Sequence, residues 1–322
     1  MPSFRHRTAL LLLSLLLACP GALAADATPR SQVAGVAQAI EDHYFDAERG
    51  RDIAQGLRSA ADAGAFDAQG SPQALAEALT ARLKPLDRHF RVHVLREGER
   101  KPLARRGSPA DADPDSGITR AEMLAGDIGL LGLRGFADFE FGRDDQPARQ
   151  AIDAALQELA HADAVVVDLR GNRGGSPAMV GYLASAFVTR GADIFNTFHS
   201  RAGTFSEAPA DWYRAPRTTV PLYVVIDART GSAAESFAYT LQQAGRATIV
   251  GETSGGAANP GGPVATREGL EVFVPTGSPL NPFSGGNWEG VGVQPDVRAP
   301  SAEAVDAALR LARTATARRR PE

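Results

Sequence analysis

The sequence predicts an α/β protein: a largely parallel β-sheet with helices on both faces, preceded by a small helical N-terminal domain. Two observations predict the sheet. Short apolar runs rich in β-branched residues, Ala164-Val-Val-Val-Asp-Leu169 and Tyr223-Val-Val-Ile226, have the composition of buried strands. Each runs through a glycine-containing turn into a segment with apolar positions at helical spacing, the alternation expected of parallel strands joined by helices. The third observation predicts the helical domain: residues 31–83 show helical periodicity only.

Taken in order, Val33, Val36, Ala37, Ile40 and Tyr44 mark a first helix over 31–45. Residues 52–63 and 72–83 give two more, separated by Gly50 and the polar stretch 64–71. Lys84-Pro85 ends the bundle, and Phe90, Val92 and Val94 alternate as a half-buried strand. Residues 96–116 are charged and rich in Pro, Gly and Asp, the composition of a surface loop, and the interval up to 126 reads as a connecting segment. A strand follows over 127–136, with glycines that suggest close backbone approach, then a helix over 146–160. The strand at 164–169 leads through Arg170-Gly-Asn-Arg-Gly-Gly175 into a helix over 177–188, and 194–198 is a further short strand. Residues 264–275 read as a hairpin turning at Glu268-Gly269, residues 280–297 as a Pro/Gly-rich segment, and 302–315 as a closing helix. No internal repeat is present.

The most informative stretch is 221–262. The strand at 223–226, the turn Arg229-Thr-Gly-Ser232 and a helix over 233–243 lift Ser232 to the start of a helix. There the unpaired N–H groups and the positive end of the dipole favour a developing negative charge. A serine at that position is either a nucleophile or a simple N-cap, and the local sequence alone serves both. The strand at 247–250 and a glycine-rich loop complete the stretch. The loop at 171–175 likewise offers exposed backbone N–H groups, as an oxyanion hole or as a tight turn. It lacks the lysine of a phosphate-binding loop and the spacing of a dinucleotide site.

Residues 1–24 have the pattern of a secretory signal peptide. Arg5 and Arg7 precede the apolar run 9–18, and Ala22-Leu-Ala24 supplies a small-residue cleavage site before Ala25. The expected location is therefore outside the cytoplasm, in the periplasm. Leu16-Leu-Ala-Cys19 also resembles a bacterial lipoprotein box, although Leu17 and Pro20 are unusual around it. Cys19 is the only cysteine, so a chain starting at Ala25 has no disulfide, cysteine nucleophile or cysteine metal site. No later stretch is long and apolar enough to span a membrane. Loss of Arg5 and Arg7 takes the net charge from −4 to −6, which argues against nucleic acid or an anionic membrane as partner. The histidines are scattered and no metal-ligand spacing occurs, so no metal and no cofactor is expected.

Four motifs now fall in order. DLRGNRGG (168–175), TGSAAES (230–236), VGETSGG (250–256) and NWEGVGVQPD (287–296) resemble the motifs of the S41 serine peptidases, the tail-specific or C-terminal-processing proteases. The match covers residues 127–297. The helical region ending in DRHFRV resembles the N-terminal domain of the interphotoreceptor retinoid-binding-protein branch of that family. The resemblance implies a crotonase/ClpP-like ββα catalytic domain over 87–300, a helical domain over 25–86 and a C-terminal helix and basic tail over 301–322. It places the nucleophile at Ser232. Many tail-specific proteases carry a PDZ domain after the first strand of the core; the interval 96–126 is too short for about 90 residues.

Family members commonly pair the serine with a lysine in a GKG segment. Here that position reads Gly255-Gly256-Ala257, and the only lysines are Lys84 and Lys101. A serine still needs a base, and histidine, with a reference pKa of about 6.5, is the natural substitute. Tricorn-like and retinoid-binding-protein-like members resemble this chain in having a histidine in the position of His89. His93, four residues on and on the same face of the strand, is the alternative. Tricorn-like enzymes have a glutamate in the closing motif, matched by Glu289, which could instead pair with Arg170 or Arg173. A serine precedes the histidine in those enzymes; Arg88 stands there in this chain. The role of Glu235 stays open. The implied activity is peptide-bond hydrolysis through Ser232 and His89, with Glu289 orienting the base. The backbone N–H of Gly174 or Gly175, with that of Ala233, would form the oxyanion hole. The expected partner is a peptide or protein substrate. The rival is a carrier of an apolar, retinoid- or lipid-like ligand on the same fold, since a fold does not guarantee its chemistry.

Overall fold

The computed structural model describes residues 28–95 and 116–319. The expected signal peptide, Cys19 and most of the 96–126 connecting segment lie outside them. Helices α1 (Pro29–His43), α2 (Ala47–Asp62) and α3 (Pro72–Leu83) begin at side-chain caps. Thr28, Asp46 and Ser71 accept from the first-turn amides of Ser31, of Glu48 and Arg49, and of Ala74, and Pro29 and Pro72 fill first-turn positions that need no N–H partner.

The helices share their core with a three-stranded antiparallel sheet: β1 (Arg91–Val94), β10 (Leu270–Pro275) and β9 (Gly261–Ala265), in that order. Val92 of β1 stands opposite Val272 of β10, and both are buried with Val36, Ile40, Leu57, Leu79 and Phe90. The strand beginning after His89 is thus paired to a strand about 180 residues away, which fixes the entrance of β1 against the second half of the chain.

The larger sheet has six strands in the order β12 (Val297–Arg298), β8 (Thr248–Gly251), β7 (Leu222–Ile226), β4 (Ala164–Asp168), β3 (Ile128–Leu133) and β2 (Ile118–Leu124). All pairings are parallel except β2 with β3. Side chains alternate between two covered faces, as the period of a strand requires. Val165, Val167, Leu222, Val224 and Ile226 pack with α4 (Pro147–Glu158), α5 (Pro177–Ser185) and α6 (Ala233–Gln243). Ile128, Leu130, Val166, Tyr223 and Val225 pack against α7 (Ala304–Arg319). A small antiparallel sheet, β11 (Gly277–Leu280), β5 (Thr197–Ser200) and β6 (Gly203–Ser206), lies beside it in the chain.

The structure departs from the sequence reading at short strands. Residues 118–124, assigned to the connecting segment, form the antiparallel edge strand β2. Their burial is irregular and partial, so the pattern that marks a strand is weak. Strand β6 is exposed at all four residues, and β11 begins on a glycine and contains Pro279. Among the described residues no helix is long and apolar enough to cross a membrane.

A buried polar network joins α6 to this small sheet. Asn196 Nδ2 reaches Ser236 Oγ and Thr240 Oγ1, both at 2.9 Å, and Asn281 Nδ2 donates to Asn196 Oδ1. Glu207 Oε2 accepts from Ser236 Oγ at 2.5 Å and from Asn196 Nδ2 at 3.2 Å. Burial pushes the Glu207 carboxyl up from 4.5 to about 7, against those two hydrogen bonds. The unfolded chain gives up this proton near pH 4.5 and the folded chain only near pH 7. In that window the folded state binds more protons, so its stability falls as pH rises. At about 1.4 kcal/mol per pKa unit the loss is on the order of 3 kcal/mol. Thermal melts of wild type and Glu207→Gln at pH 5 and pH 8 check this: wild type loses more stability across the interval than the variant. An equal loss in both would refute it.

Candidate active site

Two loops at the carboxyl ends of adjacent strands build one half of the site. After β7, Asp227 Oδ1 accepts from the N–H groups of Gly171, Arg229 and Thr230, which folds the turn and ties it to the loop after β4. Asn172, fully buried, extends the tie. Its Nδ2 donates to Leu133 O at the end of β3, its Oδ1 accepts from Gly174 N at 2.8 Å, and its carbonyl accepts from Gly231 N. The chain then passes Ser232 at φ 54°, ψ −124°, a left-handed φ that a residue with a side chain adopts only under constraint. A capping serine has an extended backbone. Ser232 does not, and this separates it from the caps at Thr28, Asp46, Ser71 and Ser176, all extended.

Gly174 packs against this serine. A Cβ on Gly174 would stand 2.8 Å from both Ser232 Cβ and Ala233 N, so only glycine lets the two loops meet. Gly175, at φ 141°, has the carbonyl of Phe136 where a Cβ would go. Ala233 N–H, at the first position of α6, has no partner within the helix, as helix geometry dictates. Gly174 N–H is engaged by Asn172 Oδ1. Of the two glycines expected as alternative donors, Gly175 is therefore the one without a competing acceptor.

Glu235 explains how Ser232 is held. It is fully buried, and each of its carboxylate oxygens accepts two hydrogen bonds. Oε2 accepts from Ser232 N and Ala257 N, both at 2.8 Å; Oε1 accepts from Gly256 N at 2.6 Å and Ser254 Oγ at 2.5 Å. Its place one turn after the serine is a capping-box arrangement in which the carboxylate also gathers a second loop.

The other half of the site is the turn between α3 and β1. Asp87 Oδ1 accepts from His89 N–H and lies 3.0 Å from His89 Nδ1. Glu289 Oε1 lies 3.3 Å from the same nitrogen. The other oxygen of each acid is also occupied: Asp87 Oδ2 by Tyr44 O–H at 3.0 Å, Glu289 Oε2 by Ala258 N and Asn259 N at 2.9 and 3.1 Å. Burial alone would depress the imidazole pKa; the hydrogen bond to Asp87 and the charges of Glu289 and Asp87 raise it above its ordinary value instead. For Asp87, burial is outweighed by its bonds to His89 and Tyr44 and the carboxyl is held low. Glu289 is raised by burial, opposed by His89 and the two amides. An imidazole so placed keeps its proton on Nδ1 and leaves Nε2 as the basic nitrogen.

Among the described residues, Asp87, His89 and Glu289 are the one group of three such donors whose atoms lie within 4.8 Å of one another. Both carboxylates converge on a single nitrogen, which suits a hydrogen-bonded imidazole. The other described histidines, His43, His93, His161 and His199, are exposed. Glu289 meets neither arginine offered as its alternative partner: Arg170 is paired with Asp168 and with Ser301 O.

The halves are joined by one loop. Gly256 and Ala257 give their N–H groups to Glu235, and Ala258 and Asn259 give theirs to Glu289. Gly290 N–H donates to Gly256 O, and Arg88 reaches Gly290 O at 3.0 Å. Asp87 is the site residue that the sequence reading missed. The signal was there: an acid two residues before a histidine in a turn accepts the amide of the second residue, an Asx turn, and brings the imidazole with it.

Comparison with known proteins identifies the family and the fold. Residues 127–299 match the model of peptidase family S41. Among solved structures, the chain is similar to a lipoprotein from Streptococcus agalactiae (14% identity, TM-score 0.56, covering 94% of this chain and 100% of that one). It is similar also to the photosystem II D1 C-terminal processing protease (16%, TM-score 0.55, 85% and 94%). A candidate peptidase from Parabacteroides merdae aligns at 17% identity and TM-score 0.61, covering 88% and 96%. At these identities the likeness is one of fold. The family match spans more than half of the sequence, and the chain belongs to peptidase family S41.

Proposed function

We propose that this S41 peptidase hydrolyses peptide bonds through an acyl-enzyme on Ser232, with His89 as general base and a periplasmic place of action. The single observation that carries the reading is Ser232 itself. It is a non-glycine residue held at φ 54° on a strand-to-helix turn, anchored below by Glu235 and packed against Gly174. Strain of this kind persists where surrounding structure enforces it and is concentrated at reactive positions.

In the proposed reaction Ser232 Oγ attacks the scissile carbonyl and its proton passes to His89 Nε2. Glu289, beside Nδ1, favours the imidazolium that results. The oxyanion is met by Ala233 N–H and Gly175 N–H, at the positive end of α6. His89 returns the proton to the leaving amine. Water then repeats the sequence to free Ser232. Lysine has no part in this: the base is an imidazole supplied from the turn before β1. The carrier reading gains no support from these residues, which are backbone amides, carboxylates and an imidazole.

Incubation with a fluorophosphonate followed by intact-mass analysis tests the nucleophile. A single adduct on Ser232, absent in Ser232→Ala and slowed by 10²-fold or more in His89→Ala, is the expected result. A folded wild-type chain that takes no adduct would overturn the assignment. The inactivation rate should also fall about tenfold per pH unit on the acid side, because protonated His89 cannot accept the serine proton. With the imidazole pKa raised, the midpoint of that fall lies above the ordinary value of 6.5. A midpoint below that value would count against the two-carboxylate environment.

Glu235 should matter through structure. Glu235→Gln replaces one oxygen, and with it two acceptances, by an NH₂ facing N–H and O–H donors. A loss on the order of 3 kcal/mol in denaturant unfolding is expected, together with slower labelling of Ser232. Wild-type stability in this variant would show that the carboxylate does not organise the turn.

A further inference from the structure

We infer that Asp87 is the positioning residue that fixes the orientation and tautomer of His89, that Tyr44, the C-cap of α1, pins Asp87 for this task, and that Glu289 supplies charge rather than alignment. The inference deepens the serine-hydrolase reading and rests on it. Three observations carry it.

The first is the number of bonds each acid makes to the histidine. Asp87 Oδ1 takes both the backbone N–H and Nδ1 of His89, each at 3.0 Å, so one oxygen fixes the residue at two points. Glu289 touches only the ring, at 3.3 Å. The second is rigidity. Asp87 is 8% exposed and two residues from His89 on the same turn, so it cannot move without it. The side chain of Glu289 is 22% exposed, and the acid sits on a glycine-rich segment of a different part of the chain. The third is the fate of the second oxygen. Asp87 Oδ2 accepts from Tyr44 O–H, and Tyr44 is itself 1% exposed, stacked on Phe90 and followed by Phe45, whose N–H donates to Pro275 O of β10. Arg201 holds the Tyr44 carbonyl, and Arg49 holds Leu86 O beside Asp87. The acid is thus braced by α1, by α2 and by the strand that pairs with β1. This gives the helical region a part in the chemistry: it holds the orienting acid.

The charged and titratable groups facing His89 and Asp87 are Glu289, Arg88 and Tyr44, and Arg49 and Asp46 act on Tyr44; Arg88 opposes protonation of His89, and the two acids next to the ring favour it. Burial pushes the Tyr44 hydroxyl far above its ordinary range, so Tyr44 remains a donor across the working range. Replacing Asp87 by Asn keeps shape and removes the charge. With its oxygen toward the two His89 donors and its NH₂ toward the Tyr44 hydroxyl, the amide keeps both bonds to His89, so Asp87→Ala is the change that removes alignment.

The test uses the full mature chain as wild type, Asp87→Asn, Asp87→Ala, Glu289→Gln and Tyr44→Phe. Nitrogen NMR of His89 in a Ser232→Ala background reads the imidazole without needing activity. Asp87→Asn should lower the His89 titration midpoint by about one unit or more, and Asp87→Ala should also depopulate the Nδ1–H tautomer. Glu289→Gln should lower the midpoint while leaving the tautomer in place. In the Ser232 chain, Asp87→Ala should cut the phosphonate labelling rate by about 10³-fold, in line with loss of an orienting acid in serine hydrolases. Tyr44→Phe, which keeps the ring and removes the brace, should cost roughly three- to tenfold in kcat with KM unchanged, an effect that mere destabilisation would not confine to kcat. An Asp87→Ala chain that retains the Nδ1–H tautomer, or that loses less activity than Glu289→Gln, would overturn the assignment. If Asp87→Ala fails to fold, Tyr44→Phe decides it: an unchanged kcat and His89 signal would also overturn it. A wild-type chain that takes no phosphonate would refute the serine reading alone, and the imidazole signals would still decide the role of Asp87.

Discussion

Four consecutive backbone N–H groups, from Gly256 to Asn259, hold this site together. They are divided two and two between Glu235 and Glu289. A buried carboxylate without partners is costly, by several kcal/mol, and tends to take up a proton instead. Here the cost is offset by amides that would otherwise be buried without acceptors of their own. The exchange is mutual: the carboxylates satisfy the loop, and the loop fixes the carboxylates. Because one acid lies beneath the serine and the other beside the histidine, the same four amides set the two halves of the site relative to each other.

The glycines of the loops follow from this packing. Gly174 is glycine because Ser232 and Ala233 occupy the space of its side chain, and Gly175 because Phe136 does. These are close approaches of backbone to backbone, made so that two strand ends can place a serine, a helix N-terminus and a free amide side by side. Asp227 and Asn172 stabilise the arrangement from below, each accepting several main-chain N–H groups or bridging three strands. The strained backbone of Ser232 is supported by these bonds.

Much of this was legible in the sequence, for identifiable reasons. Helices α1 to α7 and strands β3, β4, β7, β8 and β10 are marked by period, and α3 and α6 begin and end at the predicted residues because proline, serine and glycine punctuate them. Strand β2 was lost because it is an edge whose side chains are neither cleanly buried nor cleanly exposed, and β6 because all of it faces solvent. At the site, Ser232, His89 and Glu289 could be named from motifs, and the structure brings His89 and Glu289 together. Motifs did not disclose that Gly174 N–H is committed to Asn172, since which of two neighbouring amides is free depends on a side chain two residues away. Nor did they disclose the work of Glu235, whose partners at 254–257 are some twenty residues distant.

The two halves of the site belong to different cores. Ser232 stands on the six-stranded sheet, whose interior is formed with α4 to α7. His89 precedes β1, whose interior is formed with α1 to α3. His89 and Ser232, on separate cores, would be free to drift apart if only the chain joined them. Two features prevent it. Strands β9 and β10, which complete the sheet of β1, are the direct continuation of the amide loop after β8. The segment bearing Glu289 closes back on that loop through Gly290 and Arg88. His89 is therefore positioned by the same stretch of chain that anchors Ser232, and this is the physical sense in which the helical region and the α/β core are coupled at the proposed site.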